Sequence, residues 1–116
     1  MAGERVTIQQ IQRMKRDGQR IVMMTAYDYE LARIVDRAGP EMLLVGDSGA
    51  RYALGYDQNI AVTMDEMVLL TRSVCRARPR ALVVADMPFM SYQASVEEAV
   101  RNAGRLIKGG ARTPSR

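Results

Sequence analysis

The sequence has no histidine, no tryptophan, one phenylalanine and one cysteine, Cys75. A single thiol cannot close an intrachain disulfide, and without imidazole the usual zinc sites and nucleophile–base pairs are excluded. Any metal must therefore be held by oxygen. No apolar run approaches the roughly 18 residues of a membrane-spanning helix, and residues 1–5 lack the apolar stretch of a secretory leader. The expected setting is the cytoplasm, with no membrane partner. The scarcity of aromatics also bears on the net charge of +4. Basic residues are dispersed except at Arg76, Arg78 and Arg80 and around Arg112 and Arg116, and no aromatic rings alternate with them to stack on bases. A solvated basic surface is expected, and no nucleic-acid partner.

What is present is the composition of one globular unit. The chain has 116 residues, 47% hydrophobic and 26% charged, enough for one domain or part of one. Three runs rich in Val, Leu, Ile and Met, at residues 21–27, 41–47 and 81–87, are continuous rather than alternating. That pattern predicts parallel strands buried on both faces.

Helix punctuation lies between the runs. Thr7 and Gln10 open a capping-box pattern, Ile8, Ile11 and Met14 follow at helical spacing, and Gly18 supplies a stop. Leu31, Ile34, Val35 and Ala38 mark a second helix that ends at Gly39-Pro40. Thr63 with Glu66 and Ser95 with Glu98 predict two more boxes, the first followed by Met67, Leu70 and Val74, the second by Ala99, Val100, Ala103 and Ile107. The expected order is a helix and then three β-α units. This α/β repeat suits an open doubly wound sheet or a (β/α)8 barrel, and both place chemistry at the carboxyl ends of the strands. The first connection, Thr25-Ala26-Tyr27-Asp28, has no glycine-rich phosphate loop, which counts against a dinucleotide fold. Residues 48–61 are expected to form a long loop, a feature that is commonly functional beyond about 12 residues.

Two of the strands end in aspartate, Asp47 and Asp86. On adjacent parallel strands their carboxylates would meet at one rim, where they repel unless one is protonated or a cation lies between them. A hard divalent ion fits, Mg2+ best, because it accepts one or two carboxylates and keeps waters and substrate oxygens. Gly46 would allow close approach, and Ser48 offers a donor to a substrate carboxylate. The plainer reading makes both aspartates turn or cap residues. Tyr27 is expected to pack its ring and bond locally, the methionines Met23, Met24, Met67, Met87 and Met90 to fill the core, and Glu97 and Glu98 to occupy a solvated first helical turn.

Five segments, MTAYDY at residues 24–29, LVGDS at 44–48, LGYD at 54–57, VTMDEM at 62–67 and ALVVADMPFMSY at 81–92, resemble in order and spacing the amino-terminal signatures of the ketopantoate hydroxymethyltransferase family. The similarity runs over about residues 6–111. The resemblance implies a (β/α)8 barrel, here its first helix and first three β-α units, and in the family a homodecamer. It implies transfer of a hydroxymethyl group from 5,10-methylenetetrahydrofolate to the α-ketoacid 3-methyl-2-oxobutanoate, giving 2-dehydropantoate for pantothenate biosynthesis. Carried over by motif, Asp47 and Asp86 would be Mg2+ ligands, and Asp47, Ser48 and Asp86 would bind the ketoacid. A related Mg2+-dependent barrel, of the phosphoenolpyruvate mutase and isocitrate lyase type, is the alternative that the LGYD and ADMPFMSY segments disfavour.

The sequence departs from the family at Gly49-Ala50-Arg51-Tyr52, where a small apolar pair is common, and at Ile60-Ala61, where a proline is lost. After Gly109-Gly110-Ala111 the family continues with Asp-Ala-Val-Lys, which leads to a substrate-binding lysine, a third acidic ligand and later a glutamate base. No residue here is assigned a catalytic role. The terminal Arg112-Thr113-Pro114-Ser115-Arg116 is what GC-rich codons for Ala-Asp-Ala-Val-Lys encode when read one base out of frame. The expectation is a truncated amino-terminal portion of one barrel, inactive alone, with a non-native tail at residues 112–116. A barrel of this class needs about 250 residues and eight strands, so three strands would leave a sheet face and an edge uncovered.

Overall fold

The computed structural model describes residues 4–110; the tail expected at residues 112–116 lies outside them. Thr7 caps α1 (Ile8–Arg16) by accepting the Gln10 N–H at 3.1 Å. Then come β1 (Met23–Thr25), α2 (Tyr29–Arg37), β2 (Met42–Val45), a short α3 (Gly49–Tyr52), a 3-10 turn (Asn59–Ala61), α4 (Met64–Arg76), β3 (Leu82–Ala85) and α5 (Val96–Gly109). Asp28 caps α2 through the Leu31 N–H at 2.7 Å, and Ser95 caps α5 through the Glu98 N–H at 3.1 Å. The full reciprocal box forms at Thr63 and Glu66. At Ser95 only the serine's half is made.

The three strands form one parallel sheet in the order β1-β2-β3, with Met24 opposite Leu43 and Leu43 opposite Val83. In this sheet α4 packs on β2 and β3 and also touches both α2 and α5, so the three long helices share one layer. A doubly wound sheet reverses its strand order and carries helices on both faces. Consecutive parallel strands under a single helical layer make instead a sector of a (β/α)8 barrel.

The core lies between sheet and helices. Leu43 and Val45 of β2, Met67 and Val74 of α4, and Ala32 of α2 are fully buried, with Leu70 and Leu106 nearly so. The opposite pole is tied by polar bonds. Asp36 accepts the N–H groups of Arg80 at 2.9 Å and Ala81 at 3.0 Å, and the Val6 N–H reaches the Arg80 carbonyl at 2.8 Å. These bonds fix where β3 begins.

Three expectations need correction. The strands are shorter than the apolar runs, three residues for β1 and four each for β2 and β3, because the ends of each run turn into connections. Burial on both faces is not found: β1, at the sheet edge, is exposed on both faces, β3 is only half-buried, and no second layer of described residues covers the face away from the helices. Accordingly Met23, Met24 and Met90 are exposed rather than core, whereas Met67 is buried as expected. Finally, residues 48–61 are not one irregular loop but hold α3 and the 3-10 turn.

Candidate functional site

The site forms where β1, β2 and β3 end side by side. Parallel pairing in register carries Tyr27, Asp47 and Asp86 to the same rim, two residues or fewer beyond their strands. The Asp86 N–H continues the ladder by donating to the Val45 carbonyl at 2.9 Å. In return Asp86 Oδ2 accepts the Asp47 N–H at 3.0 Å. That bond brings the second carboxylate against the turn bearing the first. Gly46 makes room for it: a Cβ there would lie 3.1 Å from Ser48 Oγ and 3.5 Å from Asp86 Oδ2. The close approach expected at Gly46 is thus made by side chains.

Ser48 occupies the cap position of α3 but makes no side-chain capping bond. Its hydroxyl lies 2.6 Å from the Tyr27 hydroxyl instead. Tyr27 therefore bonds across 21 positions rather than locally, and its ring packs over Gly49, where a Cβ would meet it at 3.0 Å. Sequence reasoning undervalued this residue. The available signal was Gly49, whose missing side chain leaves room for the ring.

Asp47, Ala85, Asp86, Met87 and Tyr92 line an open recess of about 450 Å3. Tyr92 reaches it because the segment after β3 turns sharply: Met90 takes a left-handed φ of 69°, and the Ser91 hydroxyl, buried, donates to the Pro88 carbonyl at 2.6 Å. Asn102 of α5 donates to the Ser91 carbonyl at 2.7 Å and holds this segment down. Sequence reasoning gave Tyr92 no part in the site. A second cavity of about 330 Å3, mostly apolar, runs along β3 toward α4 and α5 and is bordered by Thr71, whose buried hydroxyl has no hydrogen-bond partner.

A clamp secures the neighbouring loop. Tyr56 donates to Glu66 Oε2 at 2.8 Å, while Glu66 Oε1 accepts the Thr63 N–H at 2.9 Å. The Thr63 N–H foremost, and then the Tyr56 hydroxyl, hold the Glu66 carboxyl below its ordinary range; the same carboxylate raises the Tyr56 phenol. Tyr56 is also tied back to α3 by its N–H, which donates to the Ala50 carbonyl at 2.8 Å.

The donor set suits a hard cation. Asp47 and Asp86 take part in none of the salt bridges among the described residues, so no Lys or Arg neutralises the rim. One oxygen of Asp86 is engaged by the Asp47 N–H, and the other donors nearby, Ser48 and Tyr27, are also oxygens. No group of three or more His, Cys, Asp or Glu with metal-holding geometry occurs among the described residues. Two carboxylates leave most of a coordination shell to water and ligand, which Mg2+ accepts and zinc does not.

Comparison with known proteins gives the family. Residues 5–113 match the family model described as ketopantoate hydroxymethyltransferase. The chain is 59% identical over 106 residues to a 3-methyl-2-oxobutanoate hydroxymethyltransferase of Moorella thermoacetica, covering 91% of this chain and 39% of that protein. Against the protein of the same name from Hyperthermus butylicus it is 57% identical over 112 residues, covering 96% and 39%. The chain thus spans about two fifths of the length of the curated relatives it matches. Among solved structures it is similar to oxaloacetate acetylhydrolase, with TM-score 0.62, 17% identity and coverage of 86% of this chain and 36% of that one. The same enzyme in complex with the product oxalate gives TM-score 0.65 at 17% identity, covering 86% and 35%. These structural likenesses speak to the barrel fold alone.

Proposed function

The chain belongs to the ketopantoate hydroxymethyltransferase family, and from that membership we propose that its rim serves transfer of a hydroxymethyl group from 5,10-methylenetetrahydrofolate to 3-methyl-2-oxobutanoate, giving 2-dehydropantoate. The observation that carries the reading is the meeting of Asp47 and Asp86 at the ends of adjacent strands, bonded through the Asp47 N–H and free of basic partners. Asp47 and Asp86 would hold Mg2+, which when bound supplies a Lewis acid and a template for the two vicinal oxygens of an α-ketoacid. Ser48 donates a hydrogen bond to the ketoacid carboxylate. Tyr92 and Met87 border the recess, where they shield an aliphatic substrate tail from water. The same reading sets the reaction in the cytoplasm and the protein in a homo-oligomer. The exposed stripe of Val96, Val100 and Ile107 along α5 supports the last point.

The test is an NMR titration of the purified chain with 3-methyl-2-oxobutanoate, with and without Mg2+. Binding should require Mg2+ and be lost in Asp86→Asn. Binding that is independent of Mg2+, or unchanged in that variant, would overturn the reading.

A further inference from the structure

We infer that Tyr27 is a positioning residue that aims the Ser48 hydroxyl at the carboxylate of the ligand; the inference rests on the ketoacid reading of this rim. A serine at a helix cap ordinarily turns its oxygen inward to accept an N–H of the first turn. Ser48 sits at the cap of α3 and does not, while its Oγ lies 2.6 Å from the Tyr27 hydroxyl. The Ser48 backbone is already helical there, φ −58° and ψ −15°, unlike the extended backbone of Thr7, Asp28, Thr63 and Ser95 at their caps, so its hydroxyl is left to Tyr27.

Proton counting shows what this bond leaves free. A hydroxyl has one proton and two lone pairs. If the phenol donates, one Ser48 lone pair is occupied and the serine's own proton is left for a third group. That group must be an acceptor, and an anionic ligand oxygen beside Asp86 is the acceptor the proposed function supplies. The placement is set by two glycines. Gly46 leaves space for Ser48 Oγ and Asp86 Oδ2 together, and Gly49 leaves space for the Tyr27 ring, with a Cβ there also meeting Leu70 at 3.0 Å. The ring is thus packed on the turn at Gly49 and delivers its hydroxyl to one place.

Tyr27→Phe keeps the packed ring and removes the hydroxyl. The Arg51 N–H, which donates to the Ser48 carbonyl at 3.0 Å, should keep its resonance, showing that α3 is intact in the variant. With Mg2+ present, 3-methyl-2-oxobutanoate should bind about tenfold more weakly to Tyr27→Phe, and on the order of tenfold or more weakly to Ser48→Ala, as expected for one hydrogen bond to a charged group. The double variant should be no weaker than Ser48→Ala alone, because Tyr27 acts through Ser48. Additive losses would overturn the inference. If Ser48→Ala binds as tightly as the unaltered chain, or that chain shows no Mg2+-dependent affinity, the ketoacid reading fails and takes the inference with it. A loss in Ser48→Ala without one in Tyr27→Phe defeats the inference alone.

Discussion

The two faces of the sheet differ more than the sequence of its strands does. On the helix side Leu43 and Val45 are fully buried beneath Met67 and Val74 of α4. On the far side Met42 and Leu44 are half-buried, and Met23 of β1, opposite Met42, is 43% exposed. The residues on both sides are equally apolar. A continuous hydrophobic run states what both faces of a strand would bury if covered, whereas coverage itself depends on which elements arrive. Here the helical layer covers one face, and the described residues supply no cover for the other.

This comparison can be broken by substitution. Leu43→Ala should lower stability by about 2–5 kcal/mol, since it removes a fully buried side chain from a face with little freedom to collapse. Met23→Ala, on the far face of β1, should cost less than about 1 kcal/mol. Urea unfolding of the two variants gives both values. Equal losses would mean that the far face is covered in solution, for example by a second copy of the chain.

A smaller contrast separates two glycines. Gly49→Ala would put a Cβ 3.0 Å from both the Tyr27 ring and Leu70, and should cost about 1–3 kcal/mol through overpacking. Gly104→Ala in α5 meets nothing within 4 Å and should gain about 0.5–1 kcal/mol from reduced freedom of the unfolded chain. Thermal unfolding should separate them in sign. A neutral Gly49→Ala would show that the Tyr27 ring is not packed on the turn.

The helical layer was legible because its signals are local. Thr7, Thr63 and Ser95 cap the helices they were expected to open, and the spacing of Met67, Leu70 and Val74 marked the face of α4 that is buried. Asp47 and Asp86 were legible as strand-end carboxylates, and parallel register brings them together as expected. Burial of β1 was misread because it depends on elements distant in sequence. Tyr27 and Tyr92 were undervalued for a similar reason: one is defined by a bond to Ser48 and the other by a turn at Met90, and neither spacing alone reveals them.

The weakest expected effect concerns the polar side of the same comparison, where the rim loop is held by hydrogen bonds rather than by packing. Glu66 has its carboxyl lowered from an ordinary value of 4.5, chiefly by the Thr63 N–H and then by the Tyr56 hydroxyl. A carboxyl with a depressed folded pKa contributes stability that is present above its unfolded value and lost as pH falls through the folded one. Stability should therefore decline below about pH 4.5, and Glu66→Gln, which keeps an acceptor for Thr63 but removes the charge, should flatten that decline. Tyr56→Phe removes the second cause and leaves the first, so the Glu66 titration followed by carboxyl carbon NMR should move only part of the way back toward its ordinary value. If it does not move, the bond between the loop and α4 is absent in solution, and α3 must be held over the rim by the Tyr56 backbone N–H to Ala50 and by the packing of Gly49 against Tyr27 and Leu70.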